Sequence, residues 1–390
     1  MKSSMSSALI YGLIFAATGV SLPYAGLWFE SRGLSGSEIA VILAVPMLAR
    51  AVTGPMVAIW ADGFRLRRTA LAWLSLVAAL AYGACIYVEG FGLWLVLWFV
   101  ASTAASSLIP LSDAFTLKLA RREGFDFSIP RGVGSVSFIA ANVVMGVLLR
   151  SESADLILVW AAVVSLLLAA MVLLAPAEPV HEVTDGLRPP RLAGLGQLMS
   201  DRRFMTAVLA VSLIQASHAF YYGFSAIAWR EQGISTRDVG LLWGFSVAVE
   251  VGLLWAFEPW RKRRGIGPMT LLLTGGIAAI LRWSALAAAP PLALLWPLQA
   301  LHALSFAAVY LAAMQLIERL APPSQATPAQ MLYSSLSSGL LIGMATVVSG
   351  PLYDDYGVTG YLAMAVMATI GMALAVVFQR MRPESELQLR

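Results

Sequence analysis

The sequence predicts an all-helical membrane protein that crosses the bilayer twelve times, in two halves of six helices. Three observations predict it. Of the 390 residues, 59% are apolar and 12% charged, where a soluble globular chain carries about a quarter charged residues; the mean hydropathy is +0.77. Twelve stretches approach the roughly 20 apolar residues that a helical span requires. The basic residues between those stretches fall on alternating sides. Such a composition argues against a nucleic-acid binder, in spite of the net charge of +4, and against a disulfide-rich secreted domain or a soluble enzyme. The single cysteine, Cys85, allows no internal disulfide and no cysteine-based metal site.

In chain order, the first six apolar stretches lie at 8–29, 38–61, 69–88, 92–117, 132–150 and 154–175. The second six lie at 204–226, 239–257, 268–288, 292–317, 329–350 and 359–379. The first has no small-residue cleavage site behind it and closes on Trp28 and Glu30, so it is expected to be a span and not a removed leader. With the N-terminus inside, the inner side collects Lys2, Arg65, Arg67, Arg68, Lys118, Arg121, Arg122, Arg131, Arg188, Arg191, Arg202 and Arg203. It adds Arg261, Lys262, Arg263, Arg264, Arg319, Arg380, Arg382 and Arg390, twenty in all. The opposite side holds four, Arg32, Arg150, Arg230 and Arg237, and Arg50 and Arg282 fall inside spans. Cytoplasmic loops carry the excess of Lys and Arg. A multi-pass protein of the cell inner membrane with both termini in the cytoplasm is therefore expected.

The longest hydrophilic stretch separates the two groups. The expected organisation is an N-terminal six-helix bundle at 1–176, a cytoplasmic linker at 177–203 and a C-terminal six-helix bundle at 204–390. Pro176, Pro179, Pro189 and Pro190 mark the linker, and 191–202 reads as a short amphipathic helix at the inner surface. Across this seam the chain repeats. At an offset of 200, Gly33-Leu34-Ser35 faces Gly233-Ile234-Ser235, and Glu38-Ile39 faces Asp238-Val239. At 204, Val143-Val144-Met145-Gly146 faces Val347-Val348-Ser349-Gly350. Two six-span halves related by a repeat are the sequence mark of a transporter whose halves rock about a central site.

The seventh span carries Ser217-His218-Ala219-Phe220-Tyr221-Tyr222-Gly223-Phe224-Ser225-Ala226-Ile227. Val239-Gly240-Leu241-Leu242-Trp243 and Glu250 follow in the eighth, Leu281-Arg282-Trp283 in the ninth, and Leu301-His302 with Leu311-Ala312-Ala313-Met314 in the tenth. Pro110-Leu111-Ser112-Asp113-Ala114 and Arg131-Gly132-Val133-Gly134-Ser135 belong to the first half. On these residues the chain resembles the major facilitator superfamily and, within it, the phenylpropionate permease family of proton-linked carriers, over essentially its whole length. The superfamily's loop after the second span usually reads Gly-x-x-x-Asp-(Arg/Lys)-x-Gly-Arg-(Arg/Lys). Here Asp62 and the basic run through Arg67 and Arg68 survive, but the leading glycine is Ala58 and the later one Arg65. The resemblance implies a cytoplasmic gate at Asp62, Arg67, Arg68 and Arg131.

A charged side chain at the bilayer centre costs about 2.5–3.5 kcal/mol on insertion scales, so it usually faces a cavity and has a partner. Glu250, Arg282 and His302 fall in three successive spans and resemble the proton and substrate cluster of lactose-permease-like symporters. Glu250 and Arg282 either serve transport or form a structural pair that holds helices together. Gln215, His218, Tyr222 and Ser225 share one helical face, and Gln299, His302 and Ser305 form a shorter polar stripe. His218 is either part of that polar path or a packed histidine. Asp113 either lines the cavity or anchors a gate near Arg131, and Arg50 meets Asp113 or an acid of the second half. Tyr24, Trp28, Tyr221, Tyr222 and Trp283 either line an aromatic-friendly pocket or anchor the interface.

No phosphate-binding loop, nucleophile elbow or zincin signature competes, and three histidines, one of them His181 in the linker, leave little case for a metal. The expected function is secondary active transport, with proton-coupled uptake of a small organic anion; the resemblance implies an aromatic carboxylate such as 3-phenylpropionate. Proton coupling is expected at Glu250, His302 and Asp113. Substrate binding is expected at Arg282, His218, Tyr222, Gln215, Gln299, Tyr24 and Trp28. Small-molecule substrate, protons and the lipid bilayer are the expected partners of a monomer, without ATP, nucleic acid, cofactor or metal. An exporter exchanging a drug or metabolite for protons is the alternative on the same fold, and a polytopic membrane enzyme or sensor a distant one.

Overall fold

A computed structural model describes residues 3–178, 180 and 194–381, and every regular element among them is helical. Ten apolar helical stretches follow one another: Ser3–Ser31, Gly36–Asp62, Arg67–Tyr87, Phe91–Glu123, Ser128–Leu148, Asp155–Leu173, Arg202–Glu231, Thr236–Arg263, Pro268–Leu286 and Leu292–Leu320. The eleventh, Pro323–Arg380, is 58 residues long and contains two spans, divided by the tight turn Gly357–Gly360. The protein is thus an all-α, twelve-span membrane protein, as its hydropathy predicts. Several helices overrun their apolar stretch at the polar end: the first begins at Ser3 and the fourth continues to Glu123. Hydropathy registers where lipid ends, whereas hydrogen bonding carries a helix on into the interface.

The repeat is visible down to individual hydrogen bonds. Gly33 and Gly233 both adopt φ +80, a left-handed conformation that glycine enters without a Cβ penalty. Each closes the preceding helix in the same way. Gly33 donates to Glu30 O at 2.9 Å and Gly233 to Arg230 O at 2.9 Å, and the next residues, Leu34 and Ile234, donate to Phe29 O and Trp229 O. The following helix is then capped. Ser35 Oγ accepts from Glu38 N–H at 3.3 Å, and Ser235 Oγ accepts from Asp238 N–H at 3.2 Å. This pattern satisfies amide donors that the first turn leaves orphaned.

The halves differ in helix regularity. The described spans of the first half are α-helical throughout. In the second half, the eighth, tenth and eleventh spans each contain a π-helical turn, at Leu253–Phe257, Ala303–Ala308 and Leu336–Leu341. The seventh span is broken between Ala216 and Ala219. There Ser217 Oγ donates to Ile214 O at 2.6 Å and the His218 ring approaches Gln215 O at 3.0 Å, so local side chains take up carbonyls at the break.

Contacts group the chain into two compact units. One comprises Met1–Asp185, Tyr221–Val247 and Thr346–Gly357; the other comprises Gly186–Phe220, Ala248–Ala345 and Val358–Arg390. Within the first, the sixth span's trailing segment is strapped to its neighbours. Glu178, 1% exposed, pairs with Lys118 at 2.8 Å and Arg122 at 2.6 Å. Of the linker expected at 177–203, residues 179 and 181–193 lie outside the described residues, and with them Pro179, His181, Arg188, Pro189, Pro190 and Arg191. Lys2, Arg382 and Arg390 lie outside as well. The amphipathic segment expected at 191–202 contributes the short helix Leu195–Ser200, after which Asp201 caps the seventh span through Arg203 and Phe204 N–H.

Candidate functional site

The densest polar group lies in the second unit, where the seventh, eighth, ninth and tenth spans supply side chains. Arg282 and Gln299 are fully buried and His302 is 4% exposed. The ninth span positions Arg282, whose Nη2 donates to Gln299 Oε1 at 2.6 Å and whose Nη1 lies 3.0 Å from His302 Nδ1. A guanidinium can only donate. His302 Nδ1 therefore presents its lone pair, and the neutral ring carries its proton on Nε2. That nitrogen faces Glu250 Oε2 at 3.7 Å. The contacts thus run from guanidinium through imidazole to carboxylate, with His302 between the two charges.

A second histidine is joined to this group. His218, fully buried, holds Ser305 Oγ at 3.2 Å from its Nε2. Its Nδ1 faces the Gln215 carbonyl, an acceptor only, which places the proton on Nδ1 and leaves Nε2 to accept from Ser305. The His218 ring meets Trp283 edge-on at 4.9 Å and His302 at 5.5 Å. Trp283 in turn donates from Nε1 to Ser217 Oγ at 2.8 Å and lies 4.6 Å from the Arg282 guanidinium carbon. The tenth span passes these residues through its π-helical turn, whose Phe306 carbonyl accepts from Gln215 Nε2 at 3.2 Å. Such turns are common at functional sites because they redirect carbonyls and side chains away from the regular ladder.

The first unit holds a smaller group. Arg131 Nη1 donates to Asp113 Oδ1 at 2.5 Å, and Tyr11 OH donates to the same oxygen. The Arg131 guanidinium also lies over the Tyr11 and Phe15 rings at 5.6 and 5.5 Å. Asp113 and Arg131 remain 38% and 40% exposed, unlike the second-half cluster.

The other singled-out residues are placed as follows. Tyr24 is fully buried, donating to Asn142 O at 3.0 Å where Gly146 and Gly240 bring the fifth and eighth spans together. Trp28 is fully buried and donates to Asp155 Oδ1 at 2.8 Å. Tyr222 is half-exposed and packs against Trp243, whose Nε1 donates to Ser225 Oγ at 3.2 Å. The break at Ser217–His218 divides the stripe expected along the seventh span: Gln215 and His218 turn to Phe306 and Ser305, Tyr222 and Ser225 to Trp243. Arg67 and Arg68 bond carbonyls beyond the sixth span, Arg67 to Val180 O and Arg68 to Ala175 O at 2.7 Å. Asp62 closes the second span. Tyr11 and Glu178 escape a sequence reading, although Glu178 is an acid just past a span on the basic face, and that isolation is a readable signal.

Among the described residues, no group of three or more His, Cys, Asp or Glu side chains is placed to hold a metal ion.

Comparisons with known proteins agree on the kind of molecule. The description "MFS_1 like family" matches residues 5–363. A probable 3-phenylpropionic acid transporter of Escherichia coli (strain K12) is 30% identical over 382 residues, covering 96% of this chain and 97% of that protein. A maltose permease of Geobacillus stearothermophilus is 27% identical, covering 97% and 95%. Among solved structures, the nucleoside transporter NupG superposes with a TM-score of 0.84 at 18% identity, covering 97% of this chain and 98% of that one. A D-xylose-proton symporter gives 0.69 at 14% identity, with 98% of each chain covered. At such identities the structural likeness concerns the fold.

Proposed function

The chain belongs to the MFS_1 like family and is a multi-pass membrane transporter of the major facilitator type, and from that premise we propose that it couples proton movement to uptake of a small organic anion. The relative described as a probable 3-phenylpropionic acid transporter makes an aromatic carboxylate the first substrate class to examine. The observation that carries the reading is the Arg282–His302–Glu250 series.

Its electrostatics supply the coupling. With Glu250 ionised, its charge offsets that of Arg282, and the cluster is neutral overall. A proton arriving on Glu250 leaves the Arg282 charge uncompensated, which favours an anion. Binding of that anion restores neutrality. A carrier holding the proton without the anion bears the most uncompensated charge within the membrane interior, where charge is costly, and so changes access least readily. Arg282, buried against Gln299, His302 and Trp283, serves charge balance; His302, neutral and with its proton on Nε2, turns that N–H toward Glu250 and favours the ionised carboxylate, which takes up the proton itself. His218 stiffens the group through Ser305, and the half-exposed Tyr222 meets the ligand. The two six-helix bundles, joined by the linker, would move about the site in the inner membrane, with both termini cytoplasmic and the monomer as the working unit.

The test is uptake of radiolabelled 3-phenylpropionate into vesicles with an imposed pH gradient. Glu250→Gln is expected to abolish gradient-driven accumulation while leaving exchange of internal for external substrate intact. Undiminished accumulation by Glu250→Gln would remove the proton role from this residue.

A further inference from the structure

Arg50 lies in the second span, Gly36–Asp62, and neither the mechanism above nor the family comparison uses it. Its helix has two distinct faces. Val52, Met56 and Ile59 are 64%, 62% and 67% exposed and form an apolar stripe toward lipid. At about 100° per residue, Arg50 stands across the helix from them. It shares its side with Gly36, Leu43 and Met47, the stripe that meets other spans of the same compact unit. Gly36 N–H donates to Asp354 at 2.6 Å, Leu43 packs toward Gly223, and Thr346 Oγ1 lies 3.9 Å from Met47 Sδ.

Arg50 is the next position along that stripe, one turn past Met47. From Gly36 it is 14 residues, or about 21 Å of rise, so it sits near the middle of a 27-residue helix. There it is half-buried, and it makes no ion pair or hydrogen bond with any described residue. Arg282 differs in each respect: it is fully buried and spends donors on Gln299 and His302. A mid-depth guanidinium turned away from lipid and left without a protein acceptor has the chemistry of a receptor for a carboxylate, which it can grip with two parallel N–H donors.

We infer that Arg50 is the residue that binds the anionic group of the transported substrate. The assignment rests on the organic-anion reading given above.

The experiment measures equilibrium binding to purified full-length protein in lipid nanodiscs, with 3-phenylpropionate and its neutral isostere 3-phenylpropanamide as probes. Arg50→Gln is expected to weaken the carboxylate at least about a hundredfold, the scale for truncating one partner of a desolvated charge pair, and to change amide binding less than threefold. Arg50→Lys, which keeps the charge but loses the fork, is expected to fall between. Without ligand, Arg50→Gln is expected to melt no lower than the parent, because an unpaired charge is removed and no contact is lost. Equal loss of both probes would reduce Arg50 to a structural role and overturn the assignment, as would unchanged carboxylate binding. Should Arg50→Gln not fold, the stability expectation has failed and so has the assignment. If Arg50→Gln behaves like the parent while the parent binds carboxylate, the organic-anion reading survives alone. If the parent binds neither 3-phenylpropionate nor benzoate, the reading falls and takes this assignment with it.

Discussion

The two halves repeat the same turns and caps, yet they treat their charges differently. In the first half, Tyr11, Asp113 and Arg131 meet on regular α-helices with the ion pair well over a third exposed. In the second, Arg282, Gln299, His302 and His218 are closed away from solvent; Arg282 lies on the regular ninth span, whereas Gln299 and His302 lie on a span with a π-helical turn and His218 at a break. An exposed pair is screened by solvent and its loss is mild, whereas a buried cluster has no such refuge. The second half thus holds charges whose state matters energetically, and it departs from regular helix in two of the spans whose side chains surround Arg282.

That contrast can be broken most directly at Arg282. Arg282→Leu is expected to cost about 3–5 kcal/mol, because it leaves the other members of a buried network uncompensated; thermal unfolding in detergent, followed by tryptophan fluorescence, would show it. A cost near zero would mean that the cluster is wetter than its burial indicates. Gln299→Leu should cost less, about 1–3 kcal/mol, the range for leaving one buried donor unsatisfied, and the same melt reads it. Arg131→Leu, the first-half counterpart, should cost about 1 kcal/mol or less, and a loss matching that of Arg282→Leu would erase the distinction between the halves. The smallest effect tests what they share. Ser35→Ala and Ser235→Ala each remove an N-cap worth about 1 kcal/mol, so their melting temperatures should drop by nearly equal amounts.

Much of the fold is legible in the sequence because lipid demands it. Twelve apolar runs, the 33–38 and 233–238 turn signatures and the intramembrane positions of Glu250, Arg282 and His302 follow from hydropathy, glycine and capping residues alone. What sequence leaves open is partner choice. Whether Glu250 meets Arg282 directly or through His302 depends on helix rotation, and a π-helical turn shifts that rotation without marking the hydrophobic pattern. Tyr24 and Trp28 read equally as pocket lining or interface anchors; the structure gives both to buried hydrogen bonds, with Asn142 O and Asp155. Side chains such as Ser217 and Ser305 matter here because a break brings the one to Trp283 and a π-helical turn brings the other to His218, and periodicity cannot foresee that.

The π-helical turns also bear on how this chain tolerates changes in length. A turn closed five residues back holds one residue more than the α-helix that would replace it. Deleting one residue from Ala303–Ala308 would let the tenth span close as regular α-helix, with both flanks kept on their present sides. The same deletion in the regular sixth span, Asp155–Leu173, would swing everything beyond it by about 100° and turn lipid-facing side chains inward. The irregular spans are therefore where single-residue deletions should be absorbed, and the smooth ones where they should not.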